Sequence, residues 1–228
     1  MKISELKNKF LTHVLPRTGV IFIITGIIIY VSPFAYNAYL RHQAADTARK
    51  LKAEMEAYEE TGNEKEVTLP QPLSPQPLPE NLVPDTGILV IPAIELEVVV
   101  NYGIEEEELK KGPGFYPQSG YPDHGNVCIA AHRGVHGAPF LHIDKLEAGD
   151  EIFLYYRGKK YTYTFQERFI THSTDWSVID PTPEPMLTLT TCPLTNYRER
   201  RIIVRSTLTG VAHLTSVSSQ PALNLPPR

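Results

Sequence analysis

The sequence has few cysteines and no excess of positive charge. Only two of its 228 residues are cysteine, which excludes a disulfide-rich scaffold and a cysteine-rich zinc module. The 22 Lys+Arg residues against 26 Asp+Glu give a formal net charge of -4. The basic surface typical of nucleic-acid-binding domains is therefore lacking, and no nucleic-acid partner is predicted. The length fits one globular domain with appended segments.

One long apolar run, residues 18–40, contains no charged residue. As a helix it is about 35 Å long, enough to cross a hydrocarbon core of about 30 Å. A buried helix of this length would show a polar stripe, and a signal peptide would have a shorter apolar core. We therefore predict an uncleaved single-pass membrane anchor after a cytoplasmic tail over residues 1–17. Basic residues flank both ends of the run, so the positive-inside count does not decide its orientation. We place the N-terminus inside the cell because the N-terminal tail is short and basic and the large domain after the run is suited to export.

Residues 41–85 are predicted to form a stalk. The part up to about residue 65 is rich in Ala, Glu, Lys and Arg and predicts a solvated juxtamembrane helix. Prolines then recur between residues 69 and 84, which precludes a helix or central strand and favours an extended chain. A compact domain over residues 86–208 and a flexible tail over residues 209–228 complete the expected order.

Runs of β-branched and aromatic residues separated by Gly, Pro and Asp predict an all-β domain. Two neighbouring runs flank Gly158, which indicates a hairpin. Helical stretches are short, at residues 105–111 and 142–146. The pattern predicts a barrel of about eight strands, with strand-like runs at residues 88–92, 96–100, 126–131, 151–156, 160–165, 186–192 and 201–208.

Three side chains suited to acyl transfer lie at the ends of predicted strands. Cys192 ends one strand, His132 ends another, and Arg201 opens the last. A reactive thiol needs an acid–base partner and a positive neighbour that stabilises an oxyanion. The spacing allows these three to converge, but it equally fits a structural histidine and a surface arginine. Cys128 lies inside an apolar run and is interpreted as a small buried hydrophobic residue.

Three motifs resemble the signatures of the sortase family: TLTTC at 188–192, AHRG at 131–134 and Arg-Ile-Ile-Val at 201–204. Sortases are membrane-anchored cysteine transpeptidases of Gram-positive bacteria. The resemblance covers about residues 86–208, and the anchor and proline-rich stalk match the family layout. It implies a closed eight-stranded sortase-type β-barrel with short helices. The single anchor and the TLTTC strand look like class D, with classes A, C and E left open.

The resemblance assigns a role to each of the three side chains. It implies that Cys192 attacks the carbonyl of the Thr–Gly bond in an LPxTG-like sorting signal and forms a thioacyl enzyme. His132 would protonate the leaving amine, and Arg201 would hydrogen-bond the oxyanion. Arg200 is the alternative to Arg201, because a one-residue slip along a strand exchanges their faces.

Further residues are expected to contact the substrate. Thr191 matches a threonine that positions substrate in family members. The loop over residues 171–185, which in sortases shapes the pocket for the Leu-Pro part of the signal, carries the apolar residues Trp176, Val178 and Ile179. The alternative for Trp176 is that it packs beneath the loop.

The resemblance implies surface proteins with C-terminal LPxTG-like signals as donors, and a peptidoglycan-precursor amine or pilin lysine as acceptor. No cofactor or metal is predicted. Calcium stays open because some class A members bind it with carboxylates and residues 105–108 are four glutamates, although such a run more often starts a solvated helix. An L,D-transpeptidase is rejected because its Ser-x-Gly-Cys-x-Arg signature is missing around Cys192. The alternative function is an anchored β-barrel scaffold or adhesin with a silent site.

Overall fold

The computed structural model describes residues 15–57, 85–195 and 199–214. It confirms the predicted closed β-barrel preceded by a long apolar helix. Most of the predicted cytoplasmic tail, the prolines of the stalk and the end of the chain lie outside the described residues.

Eight strands form the barrel: β1 Gly87–Ile91, β2 Leu96–Tyr102, β3 Gly114–Phe115, β4 Asn126–Ala130, β5 Glu151–Tyr156, β6 Lys159–His172, β7 Met186–Thr191 and β8 Arg200–His213. They close in the order β1-β2-β3-β4-β7-β8-β6-β5. Seven strands coincide with predicted runs. The sequence did not indicate β3, because it consists of only two residues, parallel to β2 and antiparallel to β4.

The predicted hairpin joins β5 to β6. Tyr156 pairs with Lys159, and the two residues between them, Arg157 and Gly158, both have positive φ, at 48° and 70°. Positive φ at both central positions gives the turn a twist that matches the flanking strands, and only glycine adopts it without steric cost.

Strand β8 is longer than the sequence indicated. Residues 209–213, assigned above to the flexible tail, are part of this strand. They pair with β6, which begins early enough that Lys159 lies opposite His213. The assignment of these residues to the tail is therefore wrong, because the start of β6 provides hydrogen-bonding partners for them.

The barrel interior is filled by the inward side chains of the strands. These residues are aliphatic or aromatic and buried, as strict alternation along half-buried strands requires. They include Leu89, Val100, Ile129, Leu154, Tyr161, Leu189 and Val204. A second, smaller apolar cluster packs on the outside of β4 and β8 beneath the connection between β6 and β7.

Helix α1, Leu15–Ala57, is unbroken over 43 residues despite Pro33. Its stretch Gly19–Ala53 is long and apolar enough to cross a membrane. The apolar side chains between Val20 and Tyr39 are exposed, as those of a lipid-facing helix would be. A proline is tolerated in such helices where neighbouring groups satisfy the freed carbonyl.

The second half of α1 packs on the barrel. Ala48 is fully buried against the outside of β1 and β5, and Ala44 and Leu51 also contact the barrel core or its outer cluster. Arg49 and Lys52 pair with Glu97 of β2 at 3.3 and 3.5 Å. The expectation of a solvated spacer is therefore wrong for residues 44–52, because small side chains one turn apart let the helix approach the sheet closely.

Candidate active site

The parallel strands β4 and β7 bring two candidate residues to one edge of the barrel, because carboxyl ends of neighbouring parallel strands meet there. The Ala131 amide donates to the Thr190 carbonyl at 3.2 Å. The Thr191 hydroxyl donates to the Ala131 carbonyl at 2.7 Å. His132 and Cys192 directly follow Ala131 and Thr191, just beyond the ends of β4 and β7, so the chain carries both past the same edge of the sheet.

Thr191 is buried between these strands. Its hydroxyl proton is engaged by the Ala131 carbonyl, and the side chain does not lie on the outer face where a peptide would be placed. The structure therefore shows Thr191 joining the strand that leads to Cys192 to the one that leads to His132.

The antiparallel register of β7 and β8 positions the third candidate. Thr191 pairs with Ile202, and one further step sets Cys192 opposite Arg201. Residues directly opposite each other share a face of the sheet. Arg200 is one residue away and lies on the other face; its carbonyl accepts a hydrogen bond from Arg201 Nη1 at 2.9 Å. Arg201, and not Arg200, thus shares the face of Cys192.

That shared face is the outside of the barrel. Ala130 and Ile203 both pack in the outer apolar cluster. His132 follows Ala130 by two residues and Arg201 precedes Ile203 by two, so both lie on the outer side. The thiol of Cys192 is free and half-buried. The strand pairings therefore place the three residues that the sequence singled out at adjoining strand ends.

The imidazole of His132 has an unusual environment. Its Nε2 atom is buried without a hydrogen-bond partner in the described part of the chain. The ring of His136 lies 5.0 Å away between centroids. Burial, and then the charge of His136, lower the pKa of His132, while Glu106 acts in the opposite direction. The lowered pKa favours the neutral ring at neutral pH.

The loop after His132 is held in place by buried polar contacts. Arg133 is buried, pairs with Asp144 at 2.7 Å and donates from Nε to the Leu141 carbonyl at 3.3 Å. The Phe140 amide donates to the His132 carbonyl at 3.1 Å. These contacts close the loop on itself and fix the backbone that carries the imidazole.

Tyr116 belongs to the site although sequence reasoning missed it. Its hydroxyl is hydrogen-bonded to that of Thr190 at 2.8 Å. Burial raises the pKa of Tyr116, and the charges of Arg201 and Cys192 also influence it, in opposite directions. Thr190 precedes Cys192 by two residues, and Tyr116 packs in the outer cluster with Ile203, two residues after Arg201, so Tyr116 lies on the face of both candidates. No signal marked it, because the tyrosine reaches the site through β3 and the loop that follows, which the sequence did not reveal.

The connection between β6 and β7, residues 173–185, covers the outer cluster. Val178 and Ile179 are buried in that cluster, whereas Trp176 is 58% exposed. Asn126 holds the loop, donating from Nδ2 to the carbonyls of Val178 and Asp180 at 3.1 Å each. Of the three apolar loop residues, only Trp176 offers a large exposed surface, and it does not pack beneath the loop.

Cys128 is confirmed as a buried hydrophobic residue. It is fully buried in the outer cluster. Burial raises the pKa of its thiol to about 12, so the nucleophilic thiolate form is negligible at neutral pH. Its sulfur lies within weak hydrogen-bonding distance of the Asn126 carbonyl, at 3.6 Å.

The glutamates considered for calcium start a short helix, α2, Glu106–Lys111. Glu106 and Glu107 pair with Lys110, and Glu108 pairs with Lys111. Within the described ranges no cluster of three or more His, Cys, Asp or Glu side chains is arranged for a metal ion. The run thus has partners within its own helix.

The segment that contains the barrel and the motifs matches a known protein family. The model of the sortase domain matches residues 89–209, more than half of the chain. The chain belongs to the sortase family. The matched segment contains all three motifs and every strand from β2 to β7, together with most of β1 and β8.

Several sortases are similar to this one. Sortase D of Bacillus subtilis is 35% identical over 109 residues, covering 47% of this chain and 54% of the relative. Sortase SrtE1 of Streptomyces coelicolor is 33% identical over 145 residues, covering 55% of this chain and 41% of the relative. The chain thus spans about half the length of both relatives. The structure of a Clostridium perfringens sortase D5 transpeptidase superposes with a TM-score of 0.50 at 31% identity, covering 54% of this chain and 78% of that one.

Proposed function

We propose that this sortase is a cysteine transpeptidase that cleaves an LPxTG-like sorting signal between Thr and Gly and transfers the acyl group to an amine. The proposal is supported by the pairing of β4 with β7 and of β7 with β8, since Cys192, His132 and Arg201 lie at the adjoining ends of these three strands. A thiol, an acid–base group and an oxyanion donor are the parts that acyl transfer needs.

The proposed reaction has two stages. The Cys192 thiolate attacks the threonine carbonyl carbon, and Arg201 donates hydrogen bonds to the oxygen that becomes negative. The C–N bond then breaks, and the His132 imidazolium gives its proton to the leaving glycine amine. In the second stage the acceptor amine attacks the thioester, His132 takes up its proton, and the C–S bond breaks to release the thiolate.

The lowered pKa of His132 limits the active fraction. The first stage needs an imidazolium and a thiolate in the same molecule. Burial and His136 disfavour the imidazolium, so only a minority of molecules holds both charges at neutral pH.

The partners proposed are surface proteins with C-terminal LPxTG-like signals, and a cell-wall precursor amine or a pilin lysine. The exposed Trp176 at the loop edge is the proposed contact for the apolar part of the signal. We place α1 across the cell membrane with its N-terminus inside and the barrel outside. Protease added to intact cells is expected to digest the barrel, and full protection would contradict this orientation.

The nucleophile is tested by a matched pair of cysteine variants of the full chain. Cys192→Ala is expected to abolish transpeptidation, because no other accessible thiol replaces it. Cys128→Ala is expected to keep most of the activity, because this thiol is sealed in the outer cluster. The rate of product formation from an LPxTG peptide and a nucleophilic amine is the measurement. Full activity without Cys192 would refute the assignment.

The substrate class is tested by incubating the full chain in detergent micelles with a library of LPxTG-type peptides and several amines. Mass spectrometry of the products should show acyl transfer with release of the peptide after Thr, and a thioacyl adduct on Cys192. Failure of every peptide, together with slow reaction of Cys192 with a vinyl sulfone, would instead support the silent scaffold.

A further inference from the structure

The anchor helix touches the loop that carries the candidate catalytic histidine. The Gly137 amide donates a hydrogen bond to the Asn37 side-chain oxygen of α1 at 3.1 Å. Leu40 of α1 also lies close to Gly137: a Cβ atom added to Gly137 would be 3.4 Å from the Leu40 Cβ. Gly137 has φ +76°, and its neighbours His136 and Ala138 have φ +51° and +47°. The loop therefore adopts a tight left-handed path against the helix.

The position of Asn37 along α1 gives the level of this contact relative to the membrane. A bilayer core of about 30 Å corresponds to roughly 20 helical residues. Counted from Thr18, where the apolar run begins, the span ends near Asn37. Tyr36 and Tyr39, exposed on the same stretch of α1, are residue types enriched at the membrane–water boundary. The loop thus contacts α1 at the level where the span leaves the hydrocarbon.

Apolar side chains are exposed at the same place. Val135, at the tip of the histidine loop, is 49% exposed, and Leu194, just after Cys192, is 60% exposed. Leu194 lies against Gly134, so the two loops form one edge. Exposed apolar groups on adjoining loops, next to a helix that enters a membrane, fit an interface with lipid.

We propose that these two loops, residues 133–139 and 193–195, rest in the lipid headgroup layer on the barrel side of the membrane. The docking of α1 through Asn37, Leu40 and Ala48 keeps them there. The partner of this surface is the bilayer itself. The proposal rests on α1 crossing the membrane, as in the proposed function, and it places His132 and Cys192 next to the lipid surface.

The test uses the full chain reconstituted in phosphatidylcholine–phosphatidylglycerol vesicles. Trp176, the only tryptophan, is replaced by Phe, and a single fluorescent reporter is introduced as Val135→Trp. Val211→Trp is the matched control, since Val211 is also half exposed, at 44%. Val211 lies three residues before Leu214, and Leu214 packs in the same cluster as Ala48 of α1. Ala48 is about 16 Å further along α1 than Asn37, so the control reporter lies further from the membrane.

The readout is quenching of the reporter's fluorescence by lipids that carry a nitroxide on the headgroup or deep in the acyl chain. Headgroup nitroxide is expected to quench the Val135→Trp variant at least twofold more than the Val211→Trp control, and deep nitroxide to quench it less. A second reporter variant, Leu194→Trp, is expected to match Val135→Trp. Equal quenching of the Val135→Trp and Val211→Trp variants, in protein whose Cys192 still reacts with a vinyl sulfone, would overturn the proposal.

The two proposals fail in different ways. Quenching requires no turnover, and transpeptidation is measured separately on the unmodified chain. An inactive chain whose Val135→Trp variant is strongly quenched would reject only the proposed function. An active chain whose Val135→Trp and Leu194→Trp variants are both unquenched would reject only the seating of the loops.

Discussion

His132, the proposed acid–base group, has the ring of His136 as a close neighbour. The two rings lie 5.0 Å apart, and the charge of His136 adds to burial in lowering the pKa of His132. His136 has φ +51°, a conformation that asparagine tolerates better than most residues. His136→Asn is therefore a conservative way to remove the charge while preserving the loop.

We expect His136→Asn to move the acidic limb of kcat/KM to higher pH. Removing a positive neighbour favours the imidazolium, so the pKa of His132 rises towards its ordinary value and His132 begins to protonate at higher pH. The pH profile of kcat/KM is the measurement. His142→Asn is the control, since His142 is not among the groups that shift the pKa of His132; an unshifted acidic limb in His136→Asn would contradict the role assigned to His136.

Arg201 is tested by a charge-preserving substitution. Arg201→Lys is expected to lower kcat/KM roughly 100-fold, because removal of one oxyanion donor has that effect in comparable sites and lysine lacks the planar donor fork. Arg200→Lys is the matched control and is expected to stay near the parental value, since Arg200 lies on the other face. The opposite ranking would show that the register argument is mistaken.

The candidate site residues could be predicted from the sequence to different degrees. Cys192 and His132 could be singled out because each ends a strand-like run within a recognisable motif. The choice between Arg201 and Arg200 depends on the phase of alternation, which the pairing of Thr191 with Ile202 fixes. Local sequence does not contain that long-range pairing, and the same reason hid Tyr116.

At the scale of elements, one buried side chain, that of Asn126, links the connection between β6 and β7 to the barrel by hydrogen bonds. Asn126 is buried, donates to two carbonyls of the loop and accepts a hydrogen bond from the Thr188 hydroxyl at 2.7 Å. Val178 and Ile179 add apolar contacts below. This arrangement holds the exposed Trp176 at the rim of the outer face.

Asn126→Ala is expected to destabilise the fold by about 1–3 kcal/mol, since it leaves buried polar partners unsatisfied. It should also loosen residues 173–185. Denaturant unfolding and amide hydrogen exchange in that segment are the measurements. Thr182→Ala, which removes only a local bond to the Glu184 carbonyl, is the control and should change neither; protected loop amides in Asn126→Ala would contradict the assigned anchoring role.

Strands were easier to predict than their lengths or neighbours. TLTTC reads as a strand because threonine and leucine suit a pleated, half-buried surface. β3 has two residues and gives no periodic signal. Residues 209–213 extend β8 only because β6 begins as early as Lys159, a long-range match that composition does not encode.

At the scale of the whole molecule, the barrel and the anchor helix form one packed body through a contact that is not the covalent link between them. Ala44, Ala48 and Leu51 of α1 face the barrel, whereas the chain passes from Ala57 to Asp85 through residues 58–84. Small alanines give a weak hydrophobic signal, so the sequence suggested a solvated helix. A substitution at this contact can separate the two parts without cutting the chain.

Ala48→Glu is expected to lower the unfolding temperature of the full chain and expose the α1–barrel boundary to protease, because it forces a charged side chain into a fully buried contact. The loss should be about 2 kcal/mol or more. Ala53→Glu, on an exposed position of the same helix, is expected to behave like the parent. Equal thermal unfolding of the two variants would show that α1 does not dock on the barrel in solution.

The unbroken course of α1 has a mechanical consequence. A helix without a joint between its buried contact at Ala48 and its apolar stretch transmits rotation from one to the other. Turning the apolar stretch of α1 about its axis therefore turns the barrel through the same angle. In the membrane-anchored state that we propose, an integral membrane protein that binds the side of this stretch would thereby set the direction in which the face that carries Cys192 points.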